Sequence, residues 1–310
     1  MDIQKIVIVS PMIKELKEHI EQYKLDKNIR YVTEDVLTEE DLDWADVFCG
    51  FQVQKDTDYS KVKWVHSLGA GVDGFLYHQD WNENVLLTRT VCSFGQRIGE
   101  YCLSYILKDT QEHATFAAQQ ENKVWREVTP ALLDAKIAVI YGTGEIGSTV
   151  ANILTGFGMK VYGISLSGKQ KPAFEQVAAA SSNNSLMKEA DYVINTLPLT
   201  DKTADLFDKS FFNQVGHIGF INVGRGKSVV EDDLIEAIDK EQVRFAVLDV
   251  CREEPLPETH AFWRHPNITV TPHISAVTTA KEAADCFVDT LHKVEAGEVL
   301  ENKVDVQKGY

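Results

Sequence analysis

The chain has 310 residues, 44% of them hydrophobic and 25% charged, and a formal net charge of −16. The length exceeds one ordinary core and sets two domains as the expectation, while the composition is that of a globular protein. The negative charge excludes nucleic acid and anionic membrane as partners, since both would repel such a surface. A small anion held by a local arginine or a set of N–H groups stays compatible with it.

In chain order, Lys5–Ser10 reads as a buried strand, and Ile13, Leu16, Ile20 and Tyr23 follow at helical spacing. Short apolar runs at Ala45–Phe51 and Val62–Leu68 continue a strand–helix alternation, which predicts a small parallel α/β domain over the first ~90 residues. Leu86–Arg89 marks a transition. Arg97–Lys108 reads as a helix able to bridge two domains, with Ile98, Cys102, Tyr105 and Ile106 along one side, and Gln111–Glu127 is polar and helix-compatible. A second series then begins: strand Lys136–Tyr141, a glycine loop, helix Ile146–Phe157 and strand Lys160–Ser165. Further strands are predicted at Tyr192–Thr196, Ile218–Val223, Arg244–Asp249 and Ile268–Thr271. Helices are predicted at Leu186–Glu189, Lys209–Asn213, Asp232–Asp239 and Lys281–Ala296. Six strands with intervening helices suit one doubly wound nucleotide-binding domain. Ala178–Ser185 reads as a surface loop, and the polar tail after Leu300 as mobile.

The five cysteines (Cys49, Cys92, Cys102, Cys251, Cys286) are scattered and form no C-x-x-C pair. That pattern points to reduced thiols in a cytoplasmic protein, and to neither a disulfide framework nor a zinc site. The run Ile6–Val9 is too short for a secretory leader, and no stretch approaches the ~20 apolar residues of a membrane span.

Gly142-Thr143-Gly144-Glu145-Ile146-Gly147 has the form G-x-G-x-x-G between an apolar strand and an apolar helix, the context in which that pattern binds a dinucleotide. Gly142 permits the turn, Gly144 lets the backbone approach a pyrophosphate, and Gly147 lets helix and strand close up. The helix N-terminus offers N–H groups and a positive dipole end to the phosphates. An acidic residue ~20 positions on normally binds the adenosine ribose of NAD. Here the corresponding stretch, Ile164–Lys171, holds no Asp or Glu but does hold Ser165, Ser167, Lys169 and Lys171. Hydroxyls and lysines suit the 2′-phosphate of NADP, which places NADP ahead of NAD.

Three segments after later strands carry chemistry: Phe220–Gly226 with Arg225, Leu248–Pro257 with Glu254, and Thr271–Ser275 with His273. Ligands of open α/β sheets bind at strand C-termini, so an arginine, a carboxylate and a histidine converge there. Together with Ser67-Leu-Gly-Ala-Gly-Val-Asp73, Ile98-Gly-Glu-Tyr101, Asn195-Thr-Leu-Pro-Leu-Thr200 and Glu254-Pro-Leu-Pro257, these segments make the sequence resemble the D-isomer-specific 2-hydroxyacid dehydrogenases. The resemblance covers nearly the whole chain.

The resemblance implies an α/β, two-domain fold of doubly wound parallel sheets. A Rossmann nucleotide-binding domain at 95–276 would be joined to a flavodoxin-like substrate domain formed by 1–94 and 277–310. It implies that Arg225 grips the carboxylate and carbonyl of a 2-keto acid, that His273 donates the proton, and that Glu254 orients the His273 ring and favours its imidazolium form. The neighbouring Glu253 competes for that role; Glu254 is preferred because it directly precedes Pro255. Main-chain N–H groups of Ala70 and Gly71 would bind the substrate carboxylate. Asp249 would hold the nicotinamide carboxamide, and Leu197, Pro198, Thr203, Asn222 and Val223 would line the cofactor. Arg97 is a further candidate anion contact, Arg252 a solvated neighbour, and Trp125 and Trp263 packing residues. The implied reaction is hydride transfer between NAD(P)H and a small 2-keto acid such as glyoxylate or hydroxypyruvate, giving a D-2-hydroxy acid, in a homodimer. An NAD-linked 3-phosphoglycerate or D-lactate-type dehydrogenase is the alternative within the class. A nicotinamide-sensing binding protein is the alternative outside it.

Overall fold

The computed structural model describes residues 1–51, 57–181 and 184–310, with backbone only at 184 and 185. The chain divides into two compact units, Met1–Cys92 with Thr278–Tyr310, and Ser93–Val277.

Among its described residues the first unit holds five strands: β1 (Lys5–Val9), β2 (Asn28–Val32), β3 (Val47–Gly50), β4 (Trp64–Ser67) and β5 (Leu86–Arg89). Their order is β2-β1-β3-β4-β5, and every pairing is parallel. This is a flavodoxin-like order. The sequence expectation omitted β2, whose residues are exposed or half-buried because it is an edge strand with polar and apolar residues mixed. Leu86–Arg89, read as a transition, completes the opposite edge. The helix Ala280–Ala296 returns to this unit, opened by a capping box between Thr279 and Glu282 and ended by Gly297 in the left-handed region. Its Ala283, Ala284, Phe287 and Leu291 bury against Ile6, Ile8 and Trp64. The tail expected to be mobile is instead tied to β5. Val304 N donates to Leu87 O at 3.0 Å, Arg89 N donates to Asn302 O at 3.1 Å, and Val304 is buried.

Among its described residues the second unit holds seven strands, one more than expected: β6 (Ile137–Tyr141), β7 (Lys160–Ser165), β8 (Gln176–Ala179), β9 (Tyr192–Asn195), β10 (Ile218–Asn222), β11 (Val243–Leu248) and β12 (Ile268–Val270). The order is β12-β11-β10-β9-β6-β7-β8, parallel throughout. The additional strand, β8, takes the start of the segment read as the loop Ala178–Ser185. It escaped notice because alanine carries no strand signal; Ser182 and Asn183 of that segment lie outside the described residues. The order reverses at β6/β9, which makes that edge the topological switch point of a Rossmann sheet.

The helix read as Arg97–Lys108 runs from Phe94 to Thr110. Its Ile98, Cys102 and Ile106 pack against Ala138, Ile140 and Val150. A methyl group on Gly99 would stand 2.3 Å from Ile153 Cδ1, so the two helices approach through that glycine. Of the helix-compatible Gln111–Glu127, only His113–Glu121 is helical, with Glu112 before it in the left-handed region. At the other end of the sheet Arg244 pairs with Asp109 at 2.7 Å, and Tyr192 Oη donates to the same Asp109 oxygen at 2.6 Å.

Candidate active site

The glycine loop turns out of β6 at the switch point. Gly142 sits at φ +99, a region that favours glycine, and a Cβ on Gly147 would stand 1.9 Å from Gly142 O. Gly144 differs from both: nothing lies within 4 Å of the position its Cβ would take. The loop therefore presses tightly on itself at its ends and leaves space over its middle. Gly144 is the N-cap of the helix Glu145–Gly156 and brings no side-chain cap. Open space over a glycine at a helix N-terminus fits a pyrophosphate. Glu145 is exposed, Ile146 packs on the core, and Thr143 is buried, with its Cγ2 near Gly163.

One strand over, Ser165 closes β7 and its Oγ accepts the Gly168 N–H at 3.1 Å. Gly168, at φ +64, reverses the chain and leaves Ser167, Lys169 and Lys171 exposed. With these residues at the end of β7, next to β6, the loop offers hydroxyls and cations where an adenosine ribose lies when a dinucleotide spans a Rossmann sheet. Together the open glycine loop and this edge fit a bound nicotinamide dinucleotide.

Arg225 follows β10. Its turn is set by a buried amide network: Asn195 Nδ2 donates to Asn222 Oδ1 and to Ser228 Oγ, each at 2.8 Å, and Ser228 Oγ donates to Arg225 O at 2.6 Å. Asn222 and Val223, expected to line the cofactor, are both buried. Thr203 is buried as well, and its hydroxyl donates to Pro198 O at 2.6 Å, so Thr203 and Asn222 shape loops from within. Leu197 and Pro198 are half-buried beyond β9. Gly226 has no room for a side chain: a Cβ would stand 1.9 Å from the Cys251 carbonyl.

Glu254 follows β11, and His273 follows β12. His273 Nδ1 lies 2.8 Å from Glu254 Oε2, while Glu254 Oε1 accepts the Cys251 N–H at 3.0 Å. Glu253 and Glu254 are both exposed, and it is Glu254 whose carboxylate lies on the His273 ring. Burial alone would raise the Glu254 pKa. The hydrogen bonds from His273 and Cys251 N–H, and the charges of His273 and Arg225, outweigh it and hold the carboxyl below its usual value. Among the described residues no hydrogen bond engages His273 Nε2, and the side chain is half-exposed. Burial pushes the adjacent Cys251 thiol up to about 12, which keeps it neutral and unreactive.

Asp249 is the residue expected to hold the nicotinamide carboxamide. It is 1% exposed. Its Oδ1 accepts from Thr271 Oγ1 at 2.5 Å and from Ile274 N at 2.8 Å, and its Oδ2 accepts from Ser275 N at 2.9 Å. The carboxylate is engaged by these donors of its own chain.

Arg97 donates through Nη1 to Val277 O. Arg252, read as a solvated neighbour, is held by Asp205 at 2.5 Å and by Val229 O at 2.8 Å. Trp125, expected to pack, is 99% exposed. Trp263 is half-exposed and donates to Pro257 O at 2.9 Å. In the first unit, Ser67 Oγ donates to Gly69 O or Gly71 O, at 3.2 and 3.1 Å, and accepts from Gly69 N at 3.3 Å, folding the loop that carries Ala70 and Gly71.

A Rossmann sheet with an arginine, a carboxylate and a histidine at successive strand ends defines a nicotinamide-dependent oxidoreductase. Comparison with known proteins takes this to a family. Residues 103–275 match the D-isomer specific 2-hydroxyacid dehydrogenase NAD binding domain. A glyoxylate/hydroxypyruvate reductase A from Serratia proteamaculans is 35% identical over 257 residues, 81% of this chain and 82% of the relative. A D-isomer specific 2-hydroxyacid dehydrogenase from Xanthobacter autotrophicus, solved with NADPH and MES, superposes with a TM-score of 0.88 at 26% identity over 100% of both chains. An NADPH-dependent glyoxylate/hydroxypyruvate reductase from Sinorhizobium meliloti, solved with NADP and sulfate, gives 0.87 at 25% identity over 99% of this chain and 100% of that one. The chain belongs to the D-isomer specific 2-hydroxyacid dehydrogenases and is an NAD(P)-dependent enzyme of that class.

Proposed function

We propose that this enzyme reduces a small 2-keto acid with NADPH, glyoxylate to the achiral glycolate or hydroxypyruvate to the D-2-hydroxy acid, using His273 as proton donor. The observation that carries this reading is the Glu254–His273 pair at 2.8 Å, with the charge of Arg225 acting on the same carboxylate. When bound, the reduced nicotinamide supplies a hydride to the carbonyl carbon. The electron pair of the C=O bond moves to oxygen, and His273 Nε2 delivers the proton that makes it a hydroxyl. Glu254 holds Nδ1 and balances the charge of the imidazolium. Arg225 steadies the carboxylate and the developing oxyanion.

The choice of NADP is supported by the Ser165–Lys171 loop, which has hydroxyls and lysines and no carboxylate, and by the nucleotide in the two solved relatives. The choice of substrate is supported by the names of the curated relatives at 34–35% identity. A homodimer belongs to the same reading. Phe116, Val124, Trp125 and Leu132 leave apolar surface exposed along 113–132, more than a solitary surface residue would. A cytoplasmic location does too, supported by five cysteines that are all free thiols.

The test is a hydride-transfer assay with NADPH and NADH across glyoxylate, hydroxypyruvate, pyruvate and 3-phosphohydroxypyruvate, with product chirality determined for the last three. Turnover of glyoxylate or hydroxypyruvate with NADPH is expected. NADPH binding without turnover of any keto acid would instead indicate a nicotinamide-binding regulator. His273→Asn suits the mechanistic arm, because asparagine tolerates the left-handed backbone found at this position. It is expected to lower kcat about 100-fold or more with NADPH affinity retained.

A further inference from the structure

Residues 271–277 carry the proton donor, and their backbone is unusually well held. His273 sits at φ +55, a conformation that side chains other than glycine adopt at a cost. The main-chain N–H groups of His273, Ile274 and Ser275 all end on one residue. His273 N donates to Asp249 O at 2.9 Å, Ile274 N donates to Asp249 Oδ1, and Ser275 N donates to Asp249 Oδ2. Thr271 Oγ1 adds a fourth bond to the same residue, the third to its carboxylate. Beyond Thr271 stands Tyr101, with its Oη 2.6 Å from Thr271 Oγ1.

Proton counting fixes the direction of this chain. The Asp249 carboxylate accepts from two backbone N–H groups, so Thr271 gives its only hydroxyl proton to Asp249, and Tyr101 gives its own to Thr271. Burial raises the Tyr101 pKa above its ordinary value, which keeps the phenol protonated and able to donate. Tyr101 belongs to the helix Phe94–Thr110. One turn earlier on the same helix face, Arg97 donates to Val277 O. One helix face thus holds both ends of the proton-donor segment.

We propose that Tyr101, Thr271 and Asp249 form a partly buried relay of positioning residues that locks the His273 backbone in its left-handed conformation and so aims the imidazole. This inference rests on the reading of His273 as proton donor. The side chains of the relay hold the segment, and the proton comes from His273 Nε2.

The test compares Tyr101→Phe, Thr271→Val and Thr271→Ser in the full chain at saturating NADPH and keto acid. Thr271→Val is expected to lower kcat about 10-fold and Tyr101→Phe about 3- to 10-fold, with the Kd of NADPH within about 2-fold. The solvent deuterium isotope effect on kcat rises, because a misaimed donor makes proton delivery rate-limiting. Thr271→Ser, which keeps the hydroxyl, restores most of kcat. The double variant Tyr101→Phe/Thr271→Val is no slower than Thr271→Val alone, since both break one chain.

Retention of kcat within about 2-fold in both Tyr101→Phe and Thr271→Val overturns the relay. So does a kcat loss matched by an equal loss of NADPH affinity, or a Thr271→Ser variant as slow as Thr271→Val. If Thr271→Val does not fold, Tyr101→Phe alone decides, because it removes one oxygen from a half-buried site. Near-normal turnover by His273→Asn would instead defeat the proton-donor reading. An inactive His273→Asn with unaffected relay variants defeats only the relay.

Discussion

Glu254 joins two segments: its Oε2 lies 2.8 Å from His273 Nδ1, and its Oε1 accepts the main-chain N–H of Cys251 at 3.0 Å. The second bond fixes the carboxylate on its own turn after β11, so the first fixes the imidazole after β12 relative to that turn. Glu254→Gln keeps the shape and removes the charge. It is expected to lower kcat about 10- to 100-fold in steady-state assays.

The same pair predicts a pH dependence of stability. The Glu254 pKa is depressed in the folded protein relative to the ~4.3 of a free glutamate. Its stabilising contribution is therefore fully present above about pH 4.3 and is lost as pH falls through the lower folded value. The Tm difference between wild type and Glu254→Gln should be constant near neutrality and close below about pH 4.3. A difference that widens on acidification would contradict the pairing.

Gly144 and Gly147 are three residues apart and should behave oppositely. Alanine at 147 meets Gly142 O at 1.9 Å, so the strand–helix junction must shift, at a cost of about 1–3 kcal/mol in thermal or denaturant unfolding. Alanine at 144 meets no protein atom within 4 Å and sits at φ −73, open to any residue. Gly144→Ala should leave Tm unchanged or slightly raised, yet weaken NADPH binding about 10-fold or more by filling the phosphate approach. Normal titration of NADPH by Gly144→Ala would move the pyrophosphate off this loop.

Ser165→Asp places a carboxylate at the end of β7, where it accepts ribose hydroxyls and repels a 2′-phosphate. The ratio of kcat/KM for NADPH over NADH should fall by about 10-fold or more. Lys169→Ala should lower it in the same direction by a smaller factor. An unchanged ratio in both variants would place the 2′-phosphate elsewhere.

Trp125, at 99% exposure, should be covered in solution by a second copy. Sedimentation of the wild type is expected to give a dimer, and Trp125→Ala should raise its dissociation constant about 10-fold or more. A wild-type monomer at micromolar concentration would remove the homodimer from the proposed function.

The repeated strand–turn–helix units were legible because each strand of the second unit is a short apolar run and each turn carries its own punctuation. β6, β9, β10 and β12 fall within a residue or two of where alternation puts them. The glycine loop was legible because backbone approach there requires glycine. β2 and β8 were not, since edge strands bury only part of their surface and need no continuous apolar run. The polar tail was misread for a related reason: Asn302 and Val304 are held by main-chain bonds to β5, which leave no pattern in side-chain chemistry.

The sequence by itself determined which residue types stand at the strand ends: Arg225, Glu254, His273 and the carboxylate-free Ser165–Lys171 stretch. Those identities are covalent, and chemistry follows from them directly. Only the tertiary structure decided where the side chains turn. It paired His273 with Glu254 and left Glu253 outside, exposed Trp125, and drew Asp249 inward to hold Thr271, Ile274 and Ser275. Direction depends on backbone dihedrals and on which hydrogen-bond donors arrive from residues far away in the chain. A local pattern shows that a carboxylate is present, while the N–H groups that claim it are brought there by the fold.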